Sequence, residues 1–295
     1  MTSNPWDDEL KRKYTLVVSS PAYDPLSGGV RALYLLAHHL QARGFRTLLA
    51  SKLKEAQPPF EVPLMPAERH LVTYPHDICI YPEISRGNPR SARHVVRFLL
   101  NRPGLAQLDA VATYGPQDFF VHFDKNHVPA GRQSQDLYTP LVDRNCYHRN
   151  GEAKVRSGFV VFGWRDSSLS LNLPDWATPV EKVTRLNPKT HEQLGDIYRS
   201  ARAFVALQRT TAIYEAIACG CPVVCQQSRG FSQATFQPRF EGAGMSWNFT
   251  EAGIEEASRT VDRFNEIYAG IEASYPARVE EVFLNILRVA AARDE

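Results

Sequence analysis

No apolar run in this 295-residue sequence approaches the roughly 20 residues that a membrane-spanning helix requires. The longest, such as Tyr14–Val18, Ala32–Ala37 and Ile217–Val224, stop far short. Charge of one sign is also lacking: 34 basic and 32 acidic residues leave a formal net charge of +2, so no global field recruits nucleic acid. Cysteine is scarce and odd in number, five in all, which does not suggest a disulfide framework. Three of the five crowd into Cys219–Cys225, but without the C-x-x-C pairing of a zinc site. Pro222 and the neighbouring valines imply a buried strand there, with packed, reduced thiols and no metal. No Asp-x-Asp pair stands beside an apolar strand to hold a divalent cation against a diphosphate, since Asp7-Asp8 lies in a polar leader. No G-x-G-x-x-G follows a strand, so the dinucleotide fingerprint is missing. The opening residues Met1–Glu9 lack the basic start and apolar core of a secretory signal, and the expectation is a cytoplasmic protein.

What is present is a repeated alternation of strand and helix. Tyr14–Ser19 is rich in strand formers, a loop with two prolines and two glycines follows, and from Val30 the apolar positions Leu33, Leu36, Ala37 and Leu40 fall on one helical stripe. Gly44 stands at a helix C-cap position, and Phe45–Ala50 reads as the next strand. This order is a βαβ unit, whose parallel strands gather ligands beyond their carboxyl ends. Asp77–Tyr81 supplies a third strand, Ser91–Leu100 a helix stopped by Arg102-Pro-Gly104, and Ala110–Thr113 a fourth strand. Polar sequence over 124–138 reads as a linker, which divides the chain into 1–138 and 139–295. The second part alternates again: strand Phe159–Phe162, helix Glu192–Ala203, strand Phe204–Leu207, helix Thr211–Cys219 and strand Pro222–Cys225. Two tail helices, about Glu251–Ile271 and Ala277–Ala292, are expected on either side of Tyr275-Pro276.

Thr210–Val224 carries the most chemistry. A strand ends near Leu207, two threonines open a helix, and free backbone N–H groups with threonine hydroxyls can bind phosphate oxygens. Glu215, one turn on, can accept both hydroxyls of a ribose. An ordinary capped helix has the same composition, with the threonine as cap and the glutamate favouring the dipole. The Glu-Ala-Ile-Ala-Cys-Gly-Cys-Pro-Val-Val segment resembles the glutamate–alanine–glycine–proline signature of GT-B glycosyltransferases, especially those similar to family 4. Ser27-Gly-Gly-Val30, directly after the first strand, resembles the glycine loop of the same family.

That resemblance implies an α/β GT-B fold, two facing Rossmann-like domains with a cleft between them, and the last helix packing back on the N-terminal one. It implies a hexosyltransferase, metal-independent and retaining, that moves sugar from a nucleotide diphosphate donor to a hydroxyl on a saccharide or glycolipid acceptor, in polysaccharide or glycoconjugate biosynthesis, with no cofactor. Gly28, Gly29, Thr210, Thr211 and Glu215 would bind the donor. Arg144, Arg149 and Lys154 would neutralise the leaving diphosphate, as fixed cations can without a metal. Asp24 is an acceptor-side candidate. The basic clusters Arg86–Arg102 and Arg144–Arg156 are solvated faces, or meet an anionic ligand or the inner face of a membrane.

Leu207 stands where the family usually carries another acidic residue, so donor-sugar contacts do not transfer. Two other readings stay open: a nucleotide-sugar epimerase on the same fold, and a non-catalytic module that binds nucleotide or glycan.

Overall fold

The computed structural model describes residues 4–52, 56–105, 107–150, 155–162, 173–178, 180–184, 187–228, 231–233 and 240–295. Helix α1 (Pro5–Lys13) is capped by Asn4, whose side chain accepts from the Trp6 N–H at 3.2 Å. Asp7 and Asp8 occupy its first turn and Lys11, Arg12 and Lys13 its last, each sign matching the helix dipole. Then come β1 (Thr15–Ser19), α2 (Gly28–Ala42) and β2 (Arg46–Ala50), the βαβ unit read from the sequence. Gly44 follows α2 with φ +82°, where a residue with a Cβ would be strained.

Four further strands complete the sheet: β3 (Asp77–Pro82), β4 (His94–Leu99), β5 (Phe119–His122) and β6 (Gln135–Asp136). All pairs are parallel, in the order β2-β1-β3-β4-β5-β6. Every residue of β3 and β4 is buried, as expected of parallel strands covered on both faces. Here the sequence expectation is corrected. Ser91–Leu100 holds a strand in place of a helix, because its β-branched and aromatic residues are covered on both sides. Even Arg97 is only 1% exposed, its charge held by Asp118 at 2.6 Å. Ala110–Thr113 is no strand either: Val111–Thr113 forms a 3-10 turn, and the strand lies later, at β5.

The second sheet is built from β7 (Phe159–Phe162), β8 (Val180–Val183), β9 (Ala203–Ala206), β10 (Val223–Cys225) and β11 (Met245–Ser246), again all parallel. Helix α3 (His191–Ser200) precedes β9 and opens on a full capping box between Thr190 and Gln193. Helix α4 (Ala212–Ala218) joins β9 to β10, and α5 (Glu251–Arg259) follows β11. The order β8-β7-β9-β10-β11 repeats the topology of the first sheet. In each, the chain moves outward from the first strand to the second and then places the third on the other side of the first. The resulting switch points lie between β1 and β3, and between β7 and β9. Crevices at such points are where α/β sheets hold ligands.

Two compact units result: Met1–Leu141 with Ala273–Glu295, and Val142–Glu272. The expected pair of tail helices split at Tyr275-Pro276 is corrected. One 34-residue helix, α6 (Val261–Asp294), runs through that position with Pro276 inside it. Its last part belongs to the first unit. There Lys11 donates to Glu280 at 2.6 Å, Tyr14 donates to Asp294 at 2.6 Å, and His94 lies 2.8 Å from the same carboxylate. Among the described residues no helix is long and apolar enough to cross a membrane.

Candidate functional site

In the first unit, β1 delivers the chain to the loop 20–27 at its carboxyl end. Asp24 organises that loop: its carboxylate accepts from the Leu26 N–H at 2.9 Å and its carbonyl from the Ser27 N–H at 3.1 Å. Ser27 caps α2 by accepting from the Val30 N–H at 3.4 Å, so Gly28 and Gly29 form the first turn of the helix. Neither glycine has positive φ, so the backbone conformation does not by itself require glycine at either position. A Cβ on Gly29 would lie 3.9 Å from Leu100 Cδ1, an ordinary contact.

A cavity of about 560 Å3 opens beside this loop, lined among others by Ser20, Tyr23, Asp24 and Lys52. Ser20 is only 9% exposed, and its hydroxyl is buried without a hydrogen-bond partner among the described residues. A buried hydroxyl left unpaired costs free energy unless something completes it. Across the switch point, Glu83 follows β3 at 9% exposure, and its carboxylate accepts from the Leu100 N–H at 3.3 Å. Ser20 and Glu83 carry no motif in the sequence. Only the strand order β2-β1-β3 shows that they follow the carboxyl ends of adjacent strands.

In the second unit, β9 ends at Ala206 and the chain turns through Leu207–Thr211 into α4. Thr210 accepts from the Ala212 N–H at 3.3 Å, and Thr211 stands at the N-cap without a side-chain capping hydrogen bond among the described residues. Arg209, half-buried, brings a cation to the same turn. Helix α4 is buried along its whole length, and Glu215 is 4% exposed. The Tyr198 and Tyr268 phenols are both made much less acidic, first by burial, with the charge of Glu215 adding to it. The carboxylate thus stands among aromatic side chains in the unit's interior. The cysteines after it are packed: burial pushes the Cys219, Cys221 and Cys225 thiols up to about 12, so they are protonated.

Of the residues expected at the diphosphate, Arg144 and Arg149 are engaged by residues of α6. Gly220 lies two residues past α4 with φ +79°, where a Cβ would come within 2.5 Å of Arg149 Nε. Seven helical residues span about 10 Å, and Arg149 is at the far end of them from Thr211. Its guanidinium pairs with Asp262 at 2.6 Å. Arg144 is held by Glu272 at 3.1 Å and Asn265 at 3.0 Å, over the Tyr268 ring at 4.9 Å. The physical reason is local: both side chains satisfy acidic and amide partners on α6. Lys154 lies outside the described residues.

No protein-family model matches the chain, and no curated protein matches its sequence. Solved structures do match its fold. WaaG, a glycosyltransferase involved in lipopolysaccharide biosynthesis, aligns at a TM-score of 0.50 with 12% identity, over 90% of this chain and 94% of that one. The T4 phage BGT in complex with UDP and Mn2+ aligns at a TM-score of 0.41 with 11% identity, over 95% of each chain. The spinosyn rhamnosyltransferase SpnG complexed with thymidine diphosphate aligns at 0.38 with 12% identity, over 94% and 96%. At such identities the likeness is one of fold: two parallel-sheet, Rossmann-like α/β units, as in GT-B glycosyltransferases.

Proposed function

We propose that this chain is a glycosyltransferase that moves a hexosyl unit from a nucleotide diphosphate sugar to a hydroxyl acceptor in polysaccharide or glycoconjugate assembly. The observation that carries the reading is the position of Thr210–Glu215, directly after β9 at a switch point of a Rossmann-like sheet, in a segment with the family's glutamate–alanine–glycine–proline order. Thr210 and Thr211 contact the diphosphate, with Arg209 as the cation nearest to them in the chain. Glu215 receives the ribose. Arg144 and Arg149 hold α6 partners, so of the earlier diphosphate candidates Lys154 stays in that role. On the acceptor side, Asp24 and Ser20 line the carboxyl-end cavity of the first unit and Glu83 follows the adjacent strand β3, while Gly28 and Gly29 leave the start of α2 open to close approach.

The donor needs no metal and no cofactor in this reading, because protein cations and hydroxyls meet the charge of the leaving group. Transfer retains the anomeric configuration. A saccharide or glycolipid acceptor would bring the protein to the inner face of a membrane as a peripheral partner.

Thermal shift across nucleoside diphosphates tests the donor assignment. Ligand at a hundred times Kd adds about 2.7 kcal/mol of stability, a clear rise in Tm. Transfer to an added saccharide, absent when acceptor is withheld, then separates a transferase from an epimerase. A protein whose Tm no nucleoside diphosphate raises is not a nucleotide-sugar enzyme.

A further inference from the structure

At the amino ends of β1, β2 and β3, away from the carboxyl-end loops, a second cavity of about 410 Å3 opens in the first unit. Lys13, Arg46, Arg69 and His76 line it, together with Tyr74 and Asp77. One carboxylate does not balance this wall. Asp77 is 1% exposed, and its two oxygens accept from one Arg69 nitrogen at 2.8 and 3.0 Å, while the Tyr74 N–H donates to it at 2.8 Å. Asp77 therefore neutralises Arg69 and has little left for the others. Arg46 gives one N–H to the neutral Arg12 carbonyl at 3.0 Å, and the Lys13 ammonium lies 5.3 Å from the centre of the Tyr14 ring. His76 stands edge-on to the same ring, at 5.7 Å. Two positive charges on exposed side chains with neutral partners thus line one concave wall, from the end of α1 and the start of β2.

We propose that this cavity is a binding site for a phosphate-bearing anion. A concave, low-dielectric wall focuses the field of its charges, so Lys13 and Arg46 attract an oxyanion more strongly there than on a convex surface. Guanidinium and ammonium groups together suit a phosphate, the first by its fork of donors and the second as a point charge. The Tyr74 ring beside them, half exposed and with the Arg69 guanidinium over it at 4.2 Å, is a surface that a nucleobase could cover and a bare phosphate could not. The site stands apart from the carboxyl-end loops and does not depend on the glycosyltransferase reading.

The imidazole NMR signals of His76 report on this cavity alone. In the wild-type protein we expect them to shift saturably with inorganic pyrophosphate at sub-millimolar concentration, and less so as salt is raised. The Lys13→Ala/Arg46→Ala protein should bind at least tenfold more weakly, and Lys13→Gln or Arg46→Gln alone should show a several-fold loss if the double variant folds poorly. A Thr210→Ala/Thr211→Ala protein should titrate like wild type, because its changes lie in the other unit. Uridine diphosphate is the second arm. Tighter binding than pyrophosphate, lost on Tyr74→Ala, identifies a nucleotide as the source, and equal binding identifies a bare anion. Failure of His76 to respond to millimolar pyrophosphate, or an undiminished response in the double variant, overturns the proposal.

Discussion

Glu215 is a carboxylate at 4% exposure, near enough to Tyr198 and Tyr268 for its charge to act on both phenols. A ribose ligand and a structural anchor of α4 make opposite demands on such a group. If Glu215 binds ribose, Glu215→Ala should weaken uridine diphosphate binding roughly ten- to hundredfold, since a hydrogen bond to a charged group is worth about 1.5–3 kcal/mol. The Tm without ligand should stay within a few degrees of wild type. A large fall in that Tm with unchanged affinity of the folded fraction would make Glu215 an interior anchor and nothing more. Arg149 gives the complementary case. If the pairing with Asp262 at the far end of α4 keeps it out of transfer, Arg149→Ala should leave kcat within about twofold, whereas losing a cation that stabilises the transition state costs on the order of a hundredfold. Steady-state kinetics in saturating donor decides between them. On the acceptor side, Glu83→Gln should raise the KM for acceptor and leave nucleotide affinity unaltered, because Glu83 follows β3 in the other unit.

Helix α4 and helix α2 each carry a test at the scale of the element. Gly220 lies two residues past α4 with φ +79°, and an alanine there must adopt the left-handed region, which costs about 1–2 kcal/mol, and also push back Arg149. Gly220→Ala should therefore lower stability in urea by at least about 1 kcal/mol. Helix α2 buries one face under α6, where His39 stands edge-on to Tyr275 at 5.1 Å. Burial first, then the charges of His38 and Arg43, lower the His39 pKa from 6.5 to about 4. The unfolded chain therefore binds this proton more readily than the folded one. Stability that His39 contributes in full above pH 6.5 is lost as pH falls from there towards 4. Urea midpoints measured across this window should fall, and His39→Gln should flatten the slope. A variant with the wild-type slope would exclude His39 as its source.

For the molecule as a whole, the proposed chemistry rests on protein groups in place of a metal. Transfer should survive a chelator at full rate and gain little from added Mg2+ or Mn2+. Activity abolished by chelator and restored by either ion would assign the neutralising role to a cation, and the part given to Arg209 and Lys154 would be withdrawn.

Local pattern alone determined the βαβ unit of β1, α2 and β2, the strand–turn–helix–strand run from β9 to β10, and the packed cysteines between them. Each rests on contacts close in sequence, or on a hydrophobic period that only one element satisfies. Tertiary burial decided the rest. Ser91–Leu100 has residues that fit a helix or a strand, and becomes β4 because it pairs with β3 and β5 along its two edges and is buried throughout. Pro276 marks a break in the sequence, yet the apolar stripe Val279, Val282, Phe283, Ile286 packs into the first unit's core and carries α6 through. The same division runs through the site. Thr210–Glu215 is contiguous and could be read directly. Ser20 and Glu83 are 63 residues apart, and the partners that engage Arg144 and Arg149 lie more than 100 positions away on α6. No pattern along a chain encodes which distant side chain will neutralise a charge, because that depends on which elements pack together, and only the folded sheet order sets it.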